Sequence, residues 1–158
     1  MDENQVYIAG PLFSEAERYF NLKLSAICEK LGYKVFLPQR DAPKLVEGNV
    51  SDVFCAELHA LESAGLILAN LDGVDVDSGA AWELGYATAR GKSIIGIRTD
   101  WRMFSPNESV NLMIQQSCVL VKSIDQLIRA LMAFKENSTD DDLLEGHDFV
   151  WARSKERR

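Results

Sequence analysis

The sequence predicts an α/β protein in which a parallel β-sheet lies between two layers of helices, a three-layer sandwich. Five short apolar runs rich in Val, Ile and Leu recur along the chain, and the segments between them have helical spacing. Strands that are buried on both faces appear as continuous apolar runs rather than as alternating patterns. The succession of strand and helix indicates parallel strands joined by right-handed helical crossovers.

The apolar runs place the strands, and the periodic segments place the helices. The strands are predicted at 6–10, 34–38, 66–71, 93–98 and 118–122. The helices are predicted at 14–31, 51–64, 79–90, 108–116 and 124–134. Because sheets of this kind bind ligands beyond the carboxyl ends of their strands, the candidate binding segments are 10–13, 38–41, 72–77 and 99–111.

The first helix has sequence signals at both ends. Its apolar residues recur at steps of three and four and form one face: Ala16, Phe20, Leu24, Ile27 and Leu31. Ser14 and Glu17 have the spacing of a capping box, which satisfies backbone amides at a helix start. Gly32 supplies a left-handed residue for the helix end.

Length and composition indicate one globular domain. The chain has 158 residues, and 47% apolar with 26% charged residues is an ordinary globular balance. No run approaches the ~18 consecutive apolar residues of a membrane span, so no membrane partner is expected. The first five residues are polar and acidic and lead directly into an apolar run, unlike a signal peptide, so a cytoplasmic location is expected.

The net charge argues against nucleic acid as a partner. Lys and Arg total 17 against 24 acids, which gives a charge of −7, whereas phosphate backbones require a positive surface. Neutral or weakly charged small molecules are the more suitable substrates.

The cysteines and histidines do not indicate a metal site or a cofactor. Cys28, Cys55 and Cys118 are widely spaced and each lies among apolar residues, so all three are expected to be core thiols. His59 and His147 lie far apart, without neighbours at ligand spacing. No metal and no cofactor are predicted.

The last twenty residues differ in character from the rest. Residues 138–142 are polar and acidic and are interpreted as a linker, which gives a domain over 1–137 and a tail over 138–158. Phe149 and Trp151 are candidates for docking on a neighbouring subunit, whereas residues 155–158 are expected to be a frayed, solvated end.

Glu83 is the most informative single residue. Between Gly79 and Ala89 it is the only ionisable group apart from Tyr86, so the helix lacks a polar face and is expected to be covered on most sides. A carboxylate in such surroundings persists when it is hydrogen-bonded, paired or used in chemistry. The alternative is a structural glutamate bonded to backbone amides or to Tyr7.

Two further carboxylates accompany Glu83. Asp77 lies six residues earlier and is a candidate general acid or simply the helix N-cap, while Asp72 and Asp75 are expected to be solvated. Glu57 falls inside the apolar stripe of Phe54, Leu58 and Leu61, so it points inward or sits at the stripe's edge. Converging carboxylates are the arrangement that glycosidic chemistry requires.

Tyr7 and Asn111 are the remaining polar anomalies. Tyr7 lies in the first strand, where its hydroxyl needs a partner if it is buried, although it could be simple core packing. Asn111 is a lone amide among apolar residues and either caps a short helix or meets a ligand hydroxyl.

Three segments together resemble the nucleoside 2-deoxyribosyltransferase family. They are VYIAGPLFS at 6–14, DSGAAWELG at 77–85 and NLM at 111–113, and the resemblance extends over about residues 5–134. It implies a flavodoxin-like sandwich with a five-stranded parallel sheet. It also implies a homo-oligomer with active sites completed across a subunit interface, and deoxynucleosides and free nucleobases as substrates.

The resemblance assigns roles by position. Glu83 corresponds to the nucleophile, Tyr7 to the tyrosine that orients it, and Asp77 to the aspartate that contacts the base and takes part in proton transfer. Glu57 stands where many members have an aspartate, a departure that moves the carboxylate outward by one methylene and leaves its role and the base preference open. The implied substrate-binding residues are Gly10, Phe13, Gln39, Arg40, Asn111 and Met113, with Asn111 reaching the sugar's 5'-hydroxyl from a neighbouring subunit.

The predicted reaction belongs to nucleotide salvage: transfer of 2'-deoxyribose between nucleobases through a covalent glycosyl-glutamate, with hydrolysis as a side reaction. The main alternative is a 2'-deoxynucleoside 5'-monophosphate N-glycosidase, which would require hydroxyls or cations around the phosphate. Glu15 and Glu17 flank the start of the first helix and disfavour it. A non-catalytic nucleoside sensor is the third possibility.

Overall fold

The computed structural model describes residues 2–47 and 49–136, and it has the predicted three-layer architecture. Five parallel strands form one sheet in the order β2-β1-β3-β4-β5. The strands are β1 Asp2–Ala9, β2 Lys34–Phe36, β3 Ala64–Asn70, β4 Ser93–Ile97 and β5 Val119–Val121. All five apolar runs therefore form strands, and the fold prediction is confirmed.

Helices cover both faces of the sheet. They are α1 Glu15–Lys30, α2 Pro38–Asp41, α3 Val50–Ser63, α4 Ser78–Ala89, α5 Leu112–Ser117 and α6 Ile124–Lys135. The single turn α2 was not predicted, because one turn that starts on a proline is too short to show periodicity. The fourth predicted helix, at 108–116, starts later than expected: Glu108 forms a bridge with Ser105, and the helix begins only after its cap at Asn111.

The predicted ends of α1 are confirmed. Ser14 Oγ accepts from the Glu17 amide at 3.2 Å, and the Glu17 carboxylate accepts from the Ser14 amide at 2.6 Å. Gly32 has a φ of +83°, the left-handed conformation that ends the helix.

Alternate residues of β1 belong to two separate cores. Ile8 packs with α1 and α6, for example against Leu24, whereas Tyr7 packs with α3 and α4. This follows from the two-residue period of a strand. The face of the sheet that carries Tyr7 is therefore the face that α4 covers.

Several side chains on the helices are more exposed than the sequence suggested. Cys28 and Cys118 are buried as expected, but Cys55 is exposed on the outer side of α3, so that part of the prediction is wrong. Phe54 is also half exposed, because it packs edge-on against Trp82 at a ring distance of 6.0 Å rather than against the sheet.

The outer face of α4 is not covered within the described residues. Trp82 is 51% exposed, and a Cβ at Gly85 would have no atom within 4 Å. Only the inner residues Ala80, Leu84 and Ala87 are buried, so the described part of this chain does not by itself supply the coverage expected for α4.

The helices of the described residues do not match a membrane span. Within the described residues, every helix is too short or too polar to span a bilayer. The predicted linker and tail, with His147, Phe149 and Trp151, lie outside the described residues.

Candidate active site

A short hydrogen bond joins the first strand to α4. The Tyr7 hydroxyl donates to Glu83 Oε1 at 2.5 Å. Tyr7 has no exposed surface, and its ring stacks on Phe36 with 5.6 Å between ring centroids and 9° between ring planes. Because packing holds the tyrosine ring, the hydroxyl fixes the direction of the Glu83 carboxylate, as expected for a tyrosine that orients a reactive acid.

Burial raises the pKa of Glu83 from 4.5 to about 7. The hydrogen bond from Tyr7 opposes this shift, whereas the negative charges of Glu57 and Asp77 add to it. Burial and the nearby carboxylates also raise the pKa of Tyr7, which therefore stays protonated and able to donate. A carboxylate with a pKa near neutrality and few water contacts is suited to nucleophilic or acid–base chemistry.

Glu57 and Asp77 lie close enough for their charges to act on Glu83. Glu57 comes from α3, and burial raises its pKa as well. Asp77 is the N-cap of α4 and accepts from the Ala80 amide at 3.0 Å. The fold thus brings four predicted catalytic side chains together, and the capping role that the sequence left open for Asp77 is present.

The charge of Glu57 leads to a prediction for Glu83. In Glu57→Gln the pKa of Glu83 should fall, because a like charge that disfavours its ionised form has been removed. Carboxyl carbon NMR titration would measure the change directly. Glu62→Gln, on the same helix, is the matched control and should leave the pKa of Glu83 where it is; a Glu83 pKa that stays constant or rises in Glu57→Gln would contradict the assignment.

A second tyrosine–glutamate pair lies on the surface. Tyr86 donates to Glu62 Oε1 at 2.5 Å, the same length as the inner pair, in an exposed setting. Tyr86 also stacks on Trp82 and lies beneath Arg90. The chain therefore contains one tyrosine–glutamate hydrogen bond at the surface and one in the protein interior.

Gly10 and Phe13 form part of the loop between β1 and α1. A Cβ at Gly10 would lie 2.8 Å from Asn70 Cβ, so a neighbouring side chain requires glycine here. Phe13 is 77% exposed. Its ring is therefore available for contact with a ligand or another subunit.

Asn111 and Met113 mark the start of α5. Asn111 Oδ1 accepts from the Met113 amide at 3.0 Å, which is the capping arrangement that the sequence left open. Both side chains are exposed, Met113 by 78%. Within the described residues, no hydrogen bond joins either of them to Glu83.

Gln39 and Arg40 lie on α2 and differ in their contacts. Arg40 pairs with Glu29 of α1 at 2.7 Å and with Asp41 at 2.8 Å, which holds its guanidinium against these acids. Gln39 Nε2 donates to the Arg18 carbonyl at 3.0 Å. Gln39 Oε1 is buried and has no hydrogen-bond partner in the part of the chain that the structure describes.

Asp72 is a residue whose role the sequence did not indicate. The expectation of simple solvation is wrong: its carboxylate accepts from the Thr99 amide and hydroxyl, both at 2.6 Å, and from the Asp100 amide at 2.9 Å. Asp72 therefore ties the end of β3 to the end of β4. The position of Asp72, directly after a predicted buried strand, is the feature of the sequence that could have indicated this role.

A cavity of about 270 Å³ lies where β4 and β5 end. Arg98, Trp101 and Lys122 are among its lining residues, and Glu83 is not. The cavity is thus separate from the four catalytic candidates.

Comparisons with known proteins agree with this architecture. A family model described as nucleoside 2-deoxyribosyltransferase matches residues 6–138. No curated protein matches the chain.

Solved structures with the same fold are similar over most of the chain. A conserved protein from Enterococcus faecalis V583 has 24% identity and a TM-score of 0.71, with 81% of this chain and 96% of that chain covered. A 2-deoxyribosyltransferase from Bacillus psychrosaccharolyticus has 25% identity and a TM-score of 0.68, with 80% and 95% covered. A 2-deoxyribosyltransferase from Leishmania mexicana has 20% identity and a TM-score of 0.66, with 83% and 97% covered.

Proposed function

Because the chain belongs to the nucleoside 2-deoxyribosyltransferase family, we propose that it moves 2'-deoxyribose between nucleobases with Glu83 as the nucleophile. The observation that carries the proposal is the 2.5 Å hydrogen bond from the fully buried Tyr7 to a carboxylate whose pKa is raised to about 7. The raised pKa reflects poor solvation of the carboxylate, and a poorly solvated carboxylate is the more reactive nucleophile once it is ionised.

In the first half-reaction, Glu83 attacks C1' of the deoxynucleoside as the glycosidic C–N bond breaks. Tyr7 holds Oε1, so Oε2 is the atom that forms the new bond. The bonding electrons pass to the nucleobase, which receives a proton from Asp77 or from a water shared with Glu57. A deoxyribosyl ester of Glu83 and a free base result.

In the second half-reaction, another nucleobase attacks C1' from the side that the first base left. The ester bond breaks, Glu83 regains its charge, and the proton of the incoming base returns to the group that gave one up. Two displacements give net retention at C1'. Water in place of the base gives free deoxyribose, which accounts for side hydrolysis.

We further propose that the sites are completed between subunits of a homo-oligomer. Trp82, Phe13 and Met113 expose large apolar surfaces, and exposed apolar area commonly marks an interaction surface. In that assembly Asn111 reaches the 5'-hydroxyl of a sugar bound beside a neighbour's Glu83. Gly10, Phe13 and Gln39 would pack around the substrate from the same chain as the nucleophile, whereas Arg40 is already engaged by Glu29 and Asp41.

The start of α1 supports a nucleoside rather than a 5'-monophosphate as substrate. An anion at a helix start is bound by free backbone amides, but here the Ser14 amide already donates to Glu17. A phosphate in this position would meet the charges of Glu15 and Glu17. The monophosphate N-glycosidase is therefore the less suitable activity.

Deoxyinosine with adenine as acceptor, compared with deoxyinosine 5'-monophosphate, separates the two reactions. We expect deoxyadenosine and hypoxanthine from the nucleoside, and little turnover of the monophosphate, when products are followed by chromatography. Release of a free sugar phosphate from the monophosphate alone, with no deoxyadenosine, would reject the transferase.

A further inference from the structure

A chain of hydrogen bonds runs along the carboxyl edge of the sheet, on the α1 side. Asn21 Nδ2 donates to the Pro11 carbonyl at 2.8 Å, and Asn70 Nδ2 donates to Asn21 Oδ1 at 2.9 Å. The Asp72 amide then donates to Asn70 Oδ1 at 3.1 Å. These bonds connect the loop after β1 with the loop after β3.

The Asp72 carboxylate extends the chain into a third loop. It holds Thr99 and Asp100, near the start of the long segment between β4 and α5, through three hydrogen bonds. Arg98 Nη1 adds a bond to the Leu71 carbonyl at 2.5 Å. The three connected loops are those that carry Phe13, Asp77 and Asn111.

The two amides at the centre of this chain are buried. Asn21 is 1% exposed and Asn70 is 2% exposed. Removing either one leaves buried polar groups of the next without a partner, so the bonds depend on one another. The close approach of Asn70 also explains why position 10 is glycine.

We propose that Asn21, Asn70 and Asp72 are positioning residues that hold three substrate-binding loops in fixed relative places. The inference rests on the proposed function. In the described residues, the side-chain hydrogen bonds of these three residues go to the loops or to one another and not to Tyr7 or Glu83. They therefore determine where the substrate is held and leave the ionisation of the nucleophile unchanged.

Asp72→Asn tests this positioning role. We expect kcat/KM for a deoxynucleoside to fall between roughly tenfold and a hundredfold, because small displacements of positioned groups have effects of this size. The midpoint of the pH profile should change little, since none of the three side chains bonds to Tyr7 or Glu83. Asp75→Asn removes an equal charge from the same loop and is the matched control. Thr99→Val removes a single hydrogen bond to Asp72, and it is the variant to test if Asp72→Asn does not fold.

Amide hydrogen exchange separates loop fixation from catalysis. Asn21→Leu should speed exchange in residues 10–13 and also at Thr99 and Asp100, because Asn70 and Asp72 transmit the change. Faster exchange confined to 10–13, or a kcat/KM that is the same in Asp72→Asn and Asp75→Asn, would overturn the proposal. If the unmodified protein transfers no deoxyribose, the proposed function fails, and the exchange pattern still decides whether the loops are linked.

Discussion

Glu83→Gln is expected to reduce deoxyribosyl transfer by roughly 10⁴-fold or more, because an amide cannot serve as the nucleophile and single losses from a catalytic unit have effects of this order. Initial rates of deoxyadenosine formation would measure the loss. Glu62→Gln alters the exposed member of the second tyrosine–glutamate pair and should retain activity. Comparable activity in Glu83→Gln and the unmodified protein would show that another group carries the reaction.

A substrate analogue locates the covalent bond. A 2'-fluoro-2'-deoxynucleoside slows breakdown of the ester, since the fluorine destabilises positive charge at C1'. Mass spectrometry should then find the added sugar on the peptide that contains Glu83. A sugar attached to any other peptide would contradict the assigned nucleophile.

The same Glu83→Gln change should make the protein more stable at alkaline pH. The pKa of Glu83 rises from 4.5 in the unfolded chain to about 7 in the folded one, so between these values the folded state binds the extra proton. The free energy of unfolding therefore decreases as pH rises through this window, by at most roughly 3 kcal/mol. Above pH 7 the glutamine variant avoids that loss.

Thermal unfolding at two pH values checks the stability effect. The Tm of Glu83→Gln should exceed that of the unmodified protein at pH 8, and the difference should be small at pH 5. A Tm that is lower than that of the unmodified protein at pH 8 would mean that Glu83 stabilises the fold, as a purely structural residue would.

Tyr7→Phe is expected to reduce transfer at pH 7 by roughly tenfold to a hundredfold and to move the acidic limb of the kcat profile to higher pH. The Tyr7 hydroxyl lowers the pKa of Glu83, so its removal leaves less of the ionised nucleophile at neutral pH. Hydrogen bonds to charged groups contribute about 1.5–3 kcal/mol, which corresponds to a displacement of one pH unit or more.

The pH dependence distinguishes this effect from simple damage. Part of the activity of Tyr7→Phe should return as the pH is raised, whereas loss of structure would not be reversed. Tyr86→Phe removes the hydroxyl of the exposed pair and should keep the original profile. An unshifted midpoint in Tyr7→Phe would argue against its role in setting the ionisation of Glu83.

Strands and helices could be predicted from the sequence where their apolar residues recur in a regular pattern. The five apolar runs and the periodic face of α1 were sufficient for the sheet and its layers, and the isolation of Glu83 in an apolar helix indicated the unusual acid. A resemblance over three short segments supplied its partner Tyr7, 76 residues away.

Contacts between loops could not be predicted from the sequence, because loops have no repeating pattern of residues. The residues next to Asp72 in the sequence do not reveal whether its carboxylate is bound by water or by the backbone of Thr99. The ion pair from Arg40 to Glu29 depends on how α2 lies against α1, and α2 is a single turn. Exposure of Cys55 depends on the rotation of α3 about its axis, which its mixed stripe left undetermined.

The inner and outer tyrosine–glutamate pairs have the same bond length but face different surroundings. Burial, and not the hydrogen bond, is therefore what raises the pKa of Glu83. Water admitted beside Glu83, for instance by separating α3 from α4, would lower the pKa of this acid even if the bond from Tyr7 stayed in place. A small molecule bound between α3 and α4 would therefore change the pH at which Glu83 ionises without displacing Tyr7.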